Sequence, residues 1–385
     1  MRYFISFVIG LSLFAQEKKN DIRSNLDIDG DFYFYMKADA YIKKLYFKLD
    51  ALKAIAKDPK LSKRIDLTKL VFAENGLKDI VSLGASSKKL AKNLYQNKIF
   101  IELKEKPEGK VWAIFKGKEH SLDGLNLMPK DTVFASYGDF KFDGMIEFTS
   151  SLIKSIAPNR AQAGDRISNQ LKRVGIDWDT VVKSSAGEMG IILSFDETKF
   201  LNLPVQKKMI EFPEPSIAVL MKVNDDYISS TLDNILTQRK TKIIKKEYDA
   251  DTLVRSFGAP GFLPIQLTPT IVSSKNWLIF SSSEALALRC LNVKNKKEKG
   301  LATSRNYQRY RKGLPAKGNG LFYVGSKFSE YMGNIIAQGL KEDYTAEQTE
   351  KILEMMGLSL MDPFYMIGVV QRKKDGLLVT FNSNL

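Results

Sequence analysis

The chain has 385 residues, of which 44% are apolar and 27% are charged. This balance is typical of a globular protein and excludes a largely disordered chain, a collagen-like chain and a polytopic membrane protein. Lysine and arginine number 59 against 44 acidic residues, so the formal net charge at pH 7 is +15. The lone Cys290 and the lone His120 exclude an internal disulfide, a Cys-rich zinc site and any mechanism that needs two histidines.

The first residues have the three-part layout of a secretory signal peptide. Met1 and Arg2 form a short positive start, residues 3–14 carry no charge, and Ala15 is a small residue at the predicted cleavage site. A membrane-spanning helix needs about 20 apolar residues, and this run is shorter. The pattern predicts removal of residues 1–15, export to the bacterial periplasm or the extracellular space, and a mature protein without a transmembrane span.

One pattern recurs four times along the chain: an apolar strand, a polar helix-capping residue and an amphipathic helix. In three copies, a second helical stretch ends at a glycine (Gly76, Gly175 or Gly357) that suits a left-handed helix C-cap. Paired strands then follow, as at residues 366–371 and 377–381, which flank the hairpin signal Asp375-Gly376. The four opening strands are predicted at residues 32–38, 132–137, 216–223 and 320–324.

The repeated unit predicts the fold class and the division of the chain. We expect an α+β fold of tandem strand-helix-hairpin units, which form largely antiparallel sheet with helices packed on one face. A proline-rich stretch at residues 201–215 is interpreted as a linker. After the signal peptide at residues 1–15, we therefore predict a first half at residues 16–205 and a second half at residues 206–385, each with two units. A further hairpin is predicted from residues 99–103 and 111–115.

Part of the chain resembles a group of exported bacterial proteins of unknown function. The resemblance is carried by residues 263–286, by residues 301–307, and by Gly313-Leu314-Pro315 before the strand at residues 321–324. In that group, a Leu-Pro step opens each strand-helix unit, and a strand ending in Ser-Ser precedes a short helix. The resemblance spans roughly residues 122–340. It implies export and a repeated α+β fold, and it supplies no catalytic residue.

Sequence motifs of enzymes are weak. Ser86-x-x-Lys89 and Ser151-x-x-Lys154 match the pattern in which a lysine one helical turn away activates a serine hydroxyl. The Lys-Thr-Gly element of that class is absent from the sequence, so a Ser151–Lys154 serine hydrolase is kept only as an alternative. His120 lies in a polar turn, where we expect no chemical role. The sequence predicts no catalytic residue, no metal site and no cofactor.

Positive charge is concentrated between residues 294 and 317. This segment holds nine basic residues and one acidic residue, Glu298, with Tyr307 and Tyr310 among them. Basic residues interleaved with aromatic ones are typical of polyanion-binding surfaces, although such a run can also be a solvated face. In an exported protein we expect an envelope component rather than nucleic acid. The predicted polyanion-binding residues are Lys294, Lys296, Lys297, Lys299, Arg305, Arg309, Arg311, Lys312 and Lys317.

These observations together predict a non-enzymatic envelope or secreted protein with a binding or scaffold role. The polyanion partner would be lipopolysaccharide, phospholipid headgroups or an acidic polysaccharide. An alternative is a periplasmic carrier, because helices laid over a curved sheet can leave a cavity for a lipid or another apolar ligand. The serine hydrolase is the remaining alternative.

Overall fold

An antiparallel sheet of 13 strands organises the described part of the chain. The α+β class and the antiparallel sheet are thus confirmed. The predicted signal peptide falls outside the described residues. The computed structural model describes residues 22–384 except 56–57, 75, 110, 115–116, 157–168, 170–171, 206–207, 240, 259–266, 341–343 and 356–362.

The first unit has the predicted order of strand, helix, helix and hairpin. Its first strand is almost entirely apolar, and Asp39 in the first helical turn accepts a hydrogen bond from the Ala40 amide at 2.7 Å. The three strands are neighbours in the sheet. The elements are β1 (Phe32–Lys37), α1 (Ala38–Ile55), α2 (Pro59–Glu74), β2 (Ile80–Ala91) and β3 (Leu94–Leu103).

The predicted hairpin between residues 99–103 and 111–115 is wrong. Val111–Ile114 forms a short helix, α3, and β3 pairs instead with β2 and with the last strand of the chain. The Trp112 indole nitrogen donates to the Gly76 carbonyl at 3.1 Å. Gly76 adopts a left-handed φ of 68°, and a Cβ there would lie 2.0 Å from the indole. Packing of Trp112 on this glycine therefore replaces the strand.

The second unit contains a long hairpin where the linker was expected. Residues 201–205 and 208–215 belong to its two strands, so the interpretation as a linker is wrong. Their outer parts extend beyond the neighbouring strands and pair only with each other, as Leu201 does with Phe212. Proline is tolerated there because no further strand needs its missing amide hydrogen. The elements are β4 (Phe134–Asp139), α4 (Phe142–Ile156), α5 (Trp178–Ser184), β5 (Ser185–Val205) and β6 (Lys208–Val223).

The third unit departs from the pattern, as the sequence predicted. Two hairpins follow its first helix, and the predicted strands around Lys275-Asn276 are confirmed. Their bounds are α6 (Tyr227–Gln238), β7 (Ile243–Asp249), β8 (Thr252–Phe257), β9 (Thr270–Ser274) and β10 (Trp277–Ser281).

Two capped helices come next, α7 (Glu284–Lys294) and α8 (Arg305–Arg311). The Ser283 hydroxyl accepts the Leu286 amide and so caps α7. Cys290 is fully buried on α7, as predicted, and burial raises the pKa of its thiol to about 12.

The last unit repeats the order of the first. The strand and helix predicted near residue 320 and the hairpin around Asp375 are confirmed, with Lys373 paired to Gly376. The Thr345 hydroxyl and the Gln348 side chain form the reciprocal bonds of a capping box. The elements are β11 (Gly320–Val324), α9 (Ser326–Leu340), α10 (Ala346–Met355), β12 (Met366–Lys373) and β13 (Gly376–Ser383).

The strand order places the last unit between the first and the second. The order is β1-β2-β3-β13-β12-β11-β4-β5-β6-β10-β9-β8-β7. β13 pairs with β3 and β11 pairs with β4, so the sheet is continuous across the predicted boundary near residue 205. The division into a first and a second half stays a prediction. In the structure, the strands of both halves belong to one sheet.

Helices pack against both faces of the sheet, in contrast to the single layer that we expected. Ile279 of β10 packs with Cys290 of α7 in the main core. The preceding residue, Leu278, packs with Ile228 of α6 in a separate cluster. Successive strand residues point to opposite faces, so α7 and α6 lie on opposite sides of the sheet. Within the described ranges, no helix is long and apolar enough to span a membrane.

A cluster of four tyrosines joins α8 to the central strands. The rings of Tyr310 and Tyr365 are 4.3 Å apart, and those of Tyr323 and Tyr365 are 5.5 Å apart. Tyr307 packs on Tyr323 at 6.3 Å. This cluster fixes α8 over the end of β11, where a cavity opens.

Candidate anion-binding cavity

A cavity of about 630 Å³ lies where β11 ends and α9 begins. Its walls come mainly from four segments: the loop before β4, the region of α7, the start of α8 and the first turn of α9. Tyr323 and Tyr365 form part of its wall. The volume lies in the range of small-molecule sites. We call it the basic cavity, because five basic side chains and two carboxylates line it: Lys130, Arg289, Lys299, Arg305, Lys327, Asp131 and Glu298.

Two of the five cations are held by carboxylates of the protein. Arg289 donates to both oxygens of Asp131 at 2.6 and 2.7 Å, and its Nε donates to Glu298 at 2.9 Å. The bonds to Asp131 and Glu298 raise the pKa of Arg289 above its ordinary value. Lys327 pairs with Glu197. These pairs fix the cavity wall, and their charges are largely compensated.

The other three cations have no such partner. Lys130, Lys299 and Arg305 are exposed, and none of them has a hydrogen-bond or ion-pair partner among the described residues. Their charges are therefore not neutralised in place. Because low-dielectric walls strengthen the field of charges in a cleft, the basic cavity attracts anions.

One buried hydroxyl group of the cavity wall also lacks a partner. Thr132 is 2% exposed, and its Oγ1 has no hydrogen bond within the described part of the chain. Tyr365 is equally buried, and its hydroxyl interacts with that of Tyr323. Burial raises the pKa of Tyr365, so its phenol stays protonated. An unsatisfied buried hydroxyl costs about 1–3 kcal/mol, so a hydrogen-bond partner for Thr132 would be stabilising.

The start of α9 adds backbone donors to the same place. Gly325 and Ser326 line the cavity, and α9 runs for 15 residues from Ser326. The Gly325 amide already donates to the Val133 carbonyl at 2.8 Å, and the Phe328 amide donates to the Gly325 carbonyl at 3.0 Å. The other amides of the first turn carry the positive end of the helix dipole. A Cβ at Gly325 would lie 2.8 Å from the Tyr323 hydroxyl, so glycine permits this close approach. Helix starts of this kind bind phosphate, sulfate or carboxylate groups.

The lining residues offer charge and hydrogen-bonding groups. The Ser304 hydroxyl accepts the Tyr307 amide as the cap of α8. The described lining contains neither histidine nor cysteine. Across the described ranges, no three His, Cys, Asp or Glu side chains are placed to hold a metal ion. The arrangement can therefore hold an anion through charge and hydrogen bonds.

Three of the predicted polyanion-binding residues instead have structural contacts. Lys294 donates to the Ser274 hydroxyl at 2.7 Å, and burial lowers its pKa. Arg309 donates to the Lys92 carbonyl at 2.9 Å. Arg311 donates to two backbone carbonyls of the loop that follows α8. These contacts tie the segment to its surroundings.

Four more predicted residues lie on the protein surface outside the cavity lining. Lys297 lies over the Tyr248 ring, with Nζ 4.9 Å from the centroid. Lys296, Lys312 and Lys317 are exposed. Their role in binding a polyanion stays a prediction.

Only Lys299 and Arg305 of the predicted set line the basic cavity. Sequence reasoning missed Lys130, Arg289 and Lys327, because each comes from a different segment with no charge run around it. One available signal was the Leu-Pro step before β11 and the Met-Pro step before β4. The residues that follow such a step, Lys130 among them, lead into the strand. That signal indicates a turn and not a ligand site.

The first Ser-x-x-Lys motif does not form a catalytic pair. Ser86 and Lys89 lie on strand β2, not on a helix. Residues three apart on a strand point to opposite faces, so Lys89 does not reach the Ser86 hydroxyl. That hydroxyl accepts the Asp27 amide at 3.0 Å. Ser151 and Lys154 fall within α4, but their side chains lie outside the described part, so the hydrolase alternative stays a prediction.

His120 does not lie in an isolated polar turn. It belongs to a charged cluster at the end of β4 and β11 that is opposite to the basic cavity. Its Nε2 lies 2.6 Å from Asp139, and its Nδ1 lies 2.7 Å from the Ser121 carbonyl and 3.6 Å from Glu188. Both ring nitrogens thus face oxygen acceptors, which requires a proton on each. Burial alone lowers the pKa of His120, but the bonds to Ser121 and Asp139 and the nearby Glu188 outweigh it and raise the pKa above 6.5.

This cluster predicts a pH dependence of stability. A histidine whose pKa is raised by folding contributes stability that is fully present below its unfolded pKa of about 6.5 and is lost as pH rises through the folded value. We expect the free energy of unfolding lost in His120→Gln to be larger near about pH 5.5 than near about pH 8.5. Urea unfolding at both pH values measures it. If the free energy of unfolding lost in His120→Gln is the same at both pH values, protonation of His120 is contradicted.

Comparison with known proteins identifies no relative. No protein-family model, curated protein or solved structure matches this chain. The resemblance to exported bacterial proteins therefore stays a prediction. Functional inference depends on the chemistry of the cavity.

Proposed function

We propose that the protein is a non-enzymatic, exported binding protein that holds an anionic ligand in the basic cavity. One observation supports this most: three cations without partners among the described residues line the same cavity as Thr132, whose buried hydroxyl also lacks a partner there. Burying a polar group without a hydrogen bond is costly, so the Thr132 hydroxyl favours a bound partner. Export is supported by the sequence pattern of residues 1–15.

An anion fits this cavity better than a cation or an apolar molecule. After the pairing of Arg289 and Lys327, the uncompensated charge of the lining is positive. An apolar ligand would remove water from Lys130, Lys299 and Arg305 without replacing its hydrogen bonds, which is unfavourable. The periplasmic carrier of an apolar ligand is therefore the weaker proposal.

Binding of a longer polyanion is compatible with the same site. Lys299 and Arg305 belong both to the basic segment at residues 294–317 and to the cavity lining. An envelope polyanion would place one negative group in the cavity and others over Lys296, Lys312 or Lys317. The cavity would then supply the specific contact and the surface lysines a general attraction.

Tripolyphosphate is the probe that tests the proposal on the chain from residue 16. Isothermal titration calorimetry should show saturable one-site binding, with affinity falling at least about tenfold between about 20 and about 200 mM NaCl, because salt screens exposed charges. Absence of binding at the lower salt concentration, or an affinity that does not respond to salt, would overturn the proposal.

The buried threonine provides a sharper test. Thr132→Val keeps the side-chain shape and removes the hydroxyl, and we expect it to weaken tripolyphosphate binding about tenfold, as loss of a hydrogen bond to a charged group does. Thr349→Val is the matched control. Thr349 is also buried, at 6% exposed, and its Oγ1 also lacks a partner in the described part, but it lies on α10 away from the lining. Equal effects of the two substitutions would contradict the role of Thr132.

A further inference from the structure

A second compartment of about 290 Å³ adjoins the basic cavity. The two share four lining residues: Asp131, Val133, Arg289 and Lys327. The remaining walls of the second compartment come from β5, β6 and the start of α7. The two compartments are therefore neighbours that have part of their walls in common.

Hydroxyl groups distinguish this second compartment. Ser194, Ser216 and Ser283 line it, and we call it the serine compartment. Ser194 is 3% exposed, and its hydroxyl has no hydrogen bond within the described residues. A serine hydroxyl both donates and accepts, which matches a ligand that carries hydroxyl groups of its own.

The carboxylates of the serine compartment already have partners. Glu197 pairs with Lys327 and accepts the Tyr331 hydroxyl at 2.9 Å, and these contacts lower its pKa. Asp196 accepts the Thr198 hydroxyl at 2.6 Å. Because these charges are compensated, the compartment does not need a cationic ligand group.

An apolar wall completes the serine compartment. Phe195 and Val133 are both more than nine-tenths buried and belong to the same apolar cluster. The lining thus offers both hydroxyl groups and apolar carbon. A sugar ring has matching groups, with hydroxyls at its edge and C–H groups on its faces. The combination differs from the basic cavity, whose three unpaired cations suit a dianion. A phosphate monoester carries close to two negative charges at pH 7.

We infer that the ligand is a phosphorylated carbohydrate. Its phosphate group binds in the basic cavity, near Lys130, Lys299, Arg305 and the start of α9. Its hydroxylated ring binds in the serine compartment, where Ser194 supplies a buried hydroxyl. This inference rests on the proposed function and specifies its ligand class.

Glucose 6-phosphate, glucose and inorganic phosphate are the probes. We expect calorimetry to show that glucose 6-phosphate binds at least about tenfold more tightly than inorganic phosphate, since sugar contacts add about 1.4 kcal/mol or more. Glucose alone should bind more weakly than glucose 6-phosphate. Ser194→Ala should weaken glucose 6-phosphate binding about fivefold and leave inorganic phosphate binding unchanged.

Ser184→Ala is the matched control for the serine substitution. Ser184 is fully buried, and its hydroxyl also lacks a hydrogen bond within the described residues, but it lies on α5 outside both lining sets. Ser184→Ala should change neither the affinity for glucose 6-phosphate nor the affinity for inorganic phosphate. A thermal melt of each variant checks that the fold is retained.

The outcomes separate the ligand class from the proposed function. Equal affinities for glucose 6-phosphate and inorganic phosphate, or glucose binding as tightly as its phosphate ester, would overturn the phosphorylated carbohydrate. If tripolyphosphate still binds in either case, the anion-binding function stands. If tripolyphosphate does not bind, both the anion-binding function and the phosphorylated carbohydrate are overturned. A loss of inorganic phosphate binding in Ser194→Ala would also contradict the division of the ligand between the two compartments.

Discussion

Replacing Lys130, Lys299 and Arg305 together by glutamate is expected to weaken tripolyphosphate binding by at least about 100-fold. Each of these side chains lines the basic cavity without a partner in the described part of the chain. Losing about 1 kcal/mol or more at each position, plus repulsion from the new carboxylates, amounts to about two orders of magnitude in affinity. Since all three are exposed, we expect only a small change in the free energy of unfolding. Calorimetry and urea unfolding measure the two quantities.

A second triple variant controls for net charge. Lys296→Glu, Lys312→Glu and Lys317→Glu change the net charge by the same amount within the same basic segment, at exposed residues outside the cavity lining. We expect a loss of affinity below about tenfold, because screening weakens charges that do not contact the ligand. If both triple variants weaken binding equally, the overall charge and not the cavity attracts the anion.

Lys222→Met is expected to have the largest effect on stability among the charged residues of the central strands. Lys222 donates to Glu188 at 2.8 Å and to Asp123 at 3.0 Å, and Glu188 also accepts the hydroxyl of the buried Tyr137. Burial alone lowers the pKa of Lys222, but these bonds outweigh it and raise the pKa. Without the cation, the Glu188 carboxylate stays 9% exposed beside Tyr137. We expect a loss of about 2–3 kcal/mol in urea unfolding at neutral pH, somewhat below that of a fully buried pair.

Two further variants test whether Glu188 without its lysine partner causes the loss of stability in Lys222→Met. Lys199→Met removes an exposed partner of Asp196 at 3.6 Å and should cost less than about 1 kcal/mol. Adding Glu188→Gln to Lys222→Met should recover part of the lost stability, because it removes the carboxylate that has lost its lysine partner. If Lys222→Met costs no more than Lys199→Met, the cluster around Glu188 contributes little to the fold.

Elements with strong local signals were predicted correctly. β11 and α9 form at residues 320–340 because alternation, Gly325 and helical spacing of apolar residues agree there. The hairpin around Asp375 forms because Asp-Gly fits a tight turn between two apolar strands. In each case, residues that are neighbours in the chain determine the structure.

Elements whose structure depends on distant partners were predicted wrongly. Residues 201–215 contain prolines that suggest a linker, yet residues 201–205 pair with residues 208–212 in a hairpin beyond the neighbouring strands. Val111 and Trp112 carry strand-forming side chains, yet packing of Trp112 on Gly76 favours a helical turn. Ser86 and Lys89 match a helical motif, yet the pairing of β2 with β1 and β3 makes them strand residues. Local propensity is weaker than these tertiary contacts.

The candidate site was predicted only in part, for the same reason. The charge run at residues 294–317 pointed to Lys299 and Arg305, and both line the basic cavity. Thr132 gave no signal, because its importance comes from burial without a partner. Arg289 and Lys327 gave no signal either, because they reach the cavity from separate helices.

By itself, the sequence determined the α+β class, the positions of most strands and helices, and the excess of positive charge. These follow from composition, periodicity and capping, which act between residues close together in the chain. The tertiary structure alone decided that the last unit lies between the first and the second, that helices cover both faces, and that four segments meet at the end of β11. Antiparallel pairing between distant strands depends on which apolar faces can be buried together, and no local pattern specifies that choice.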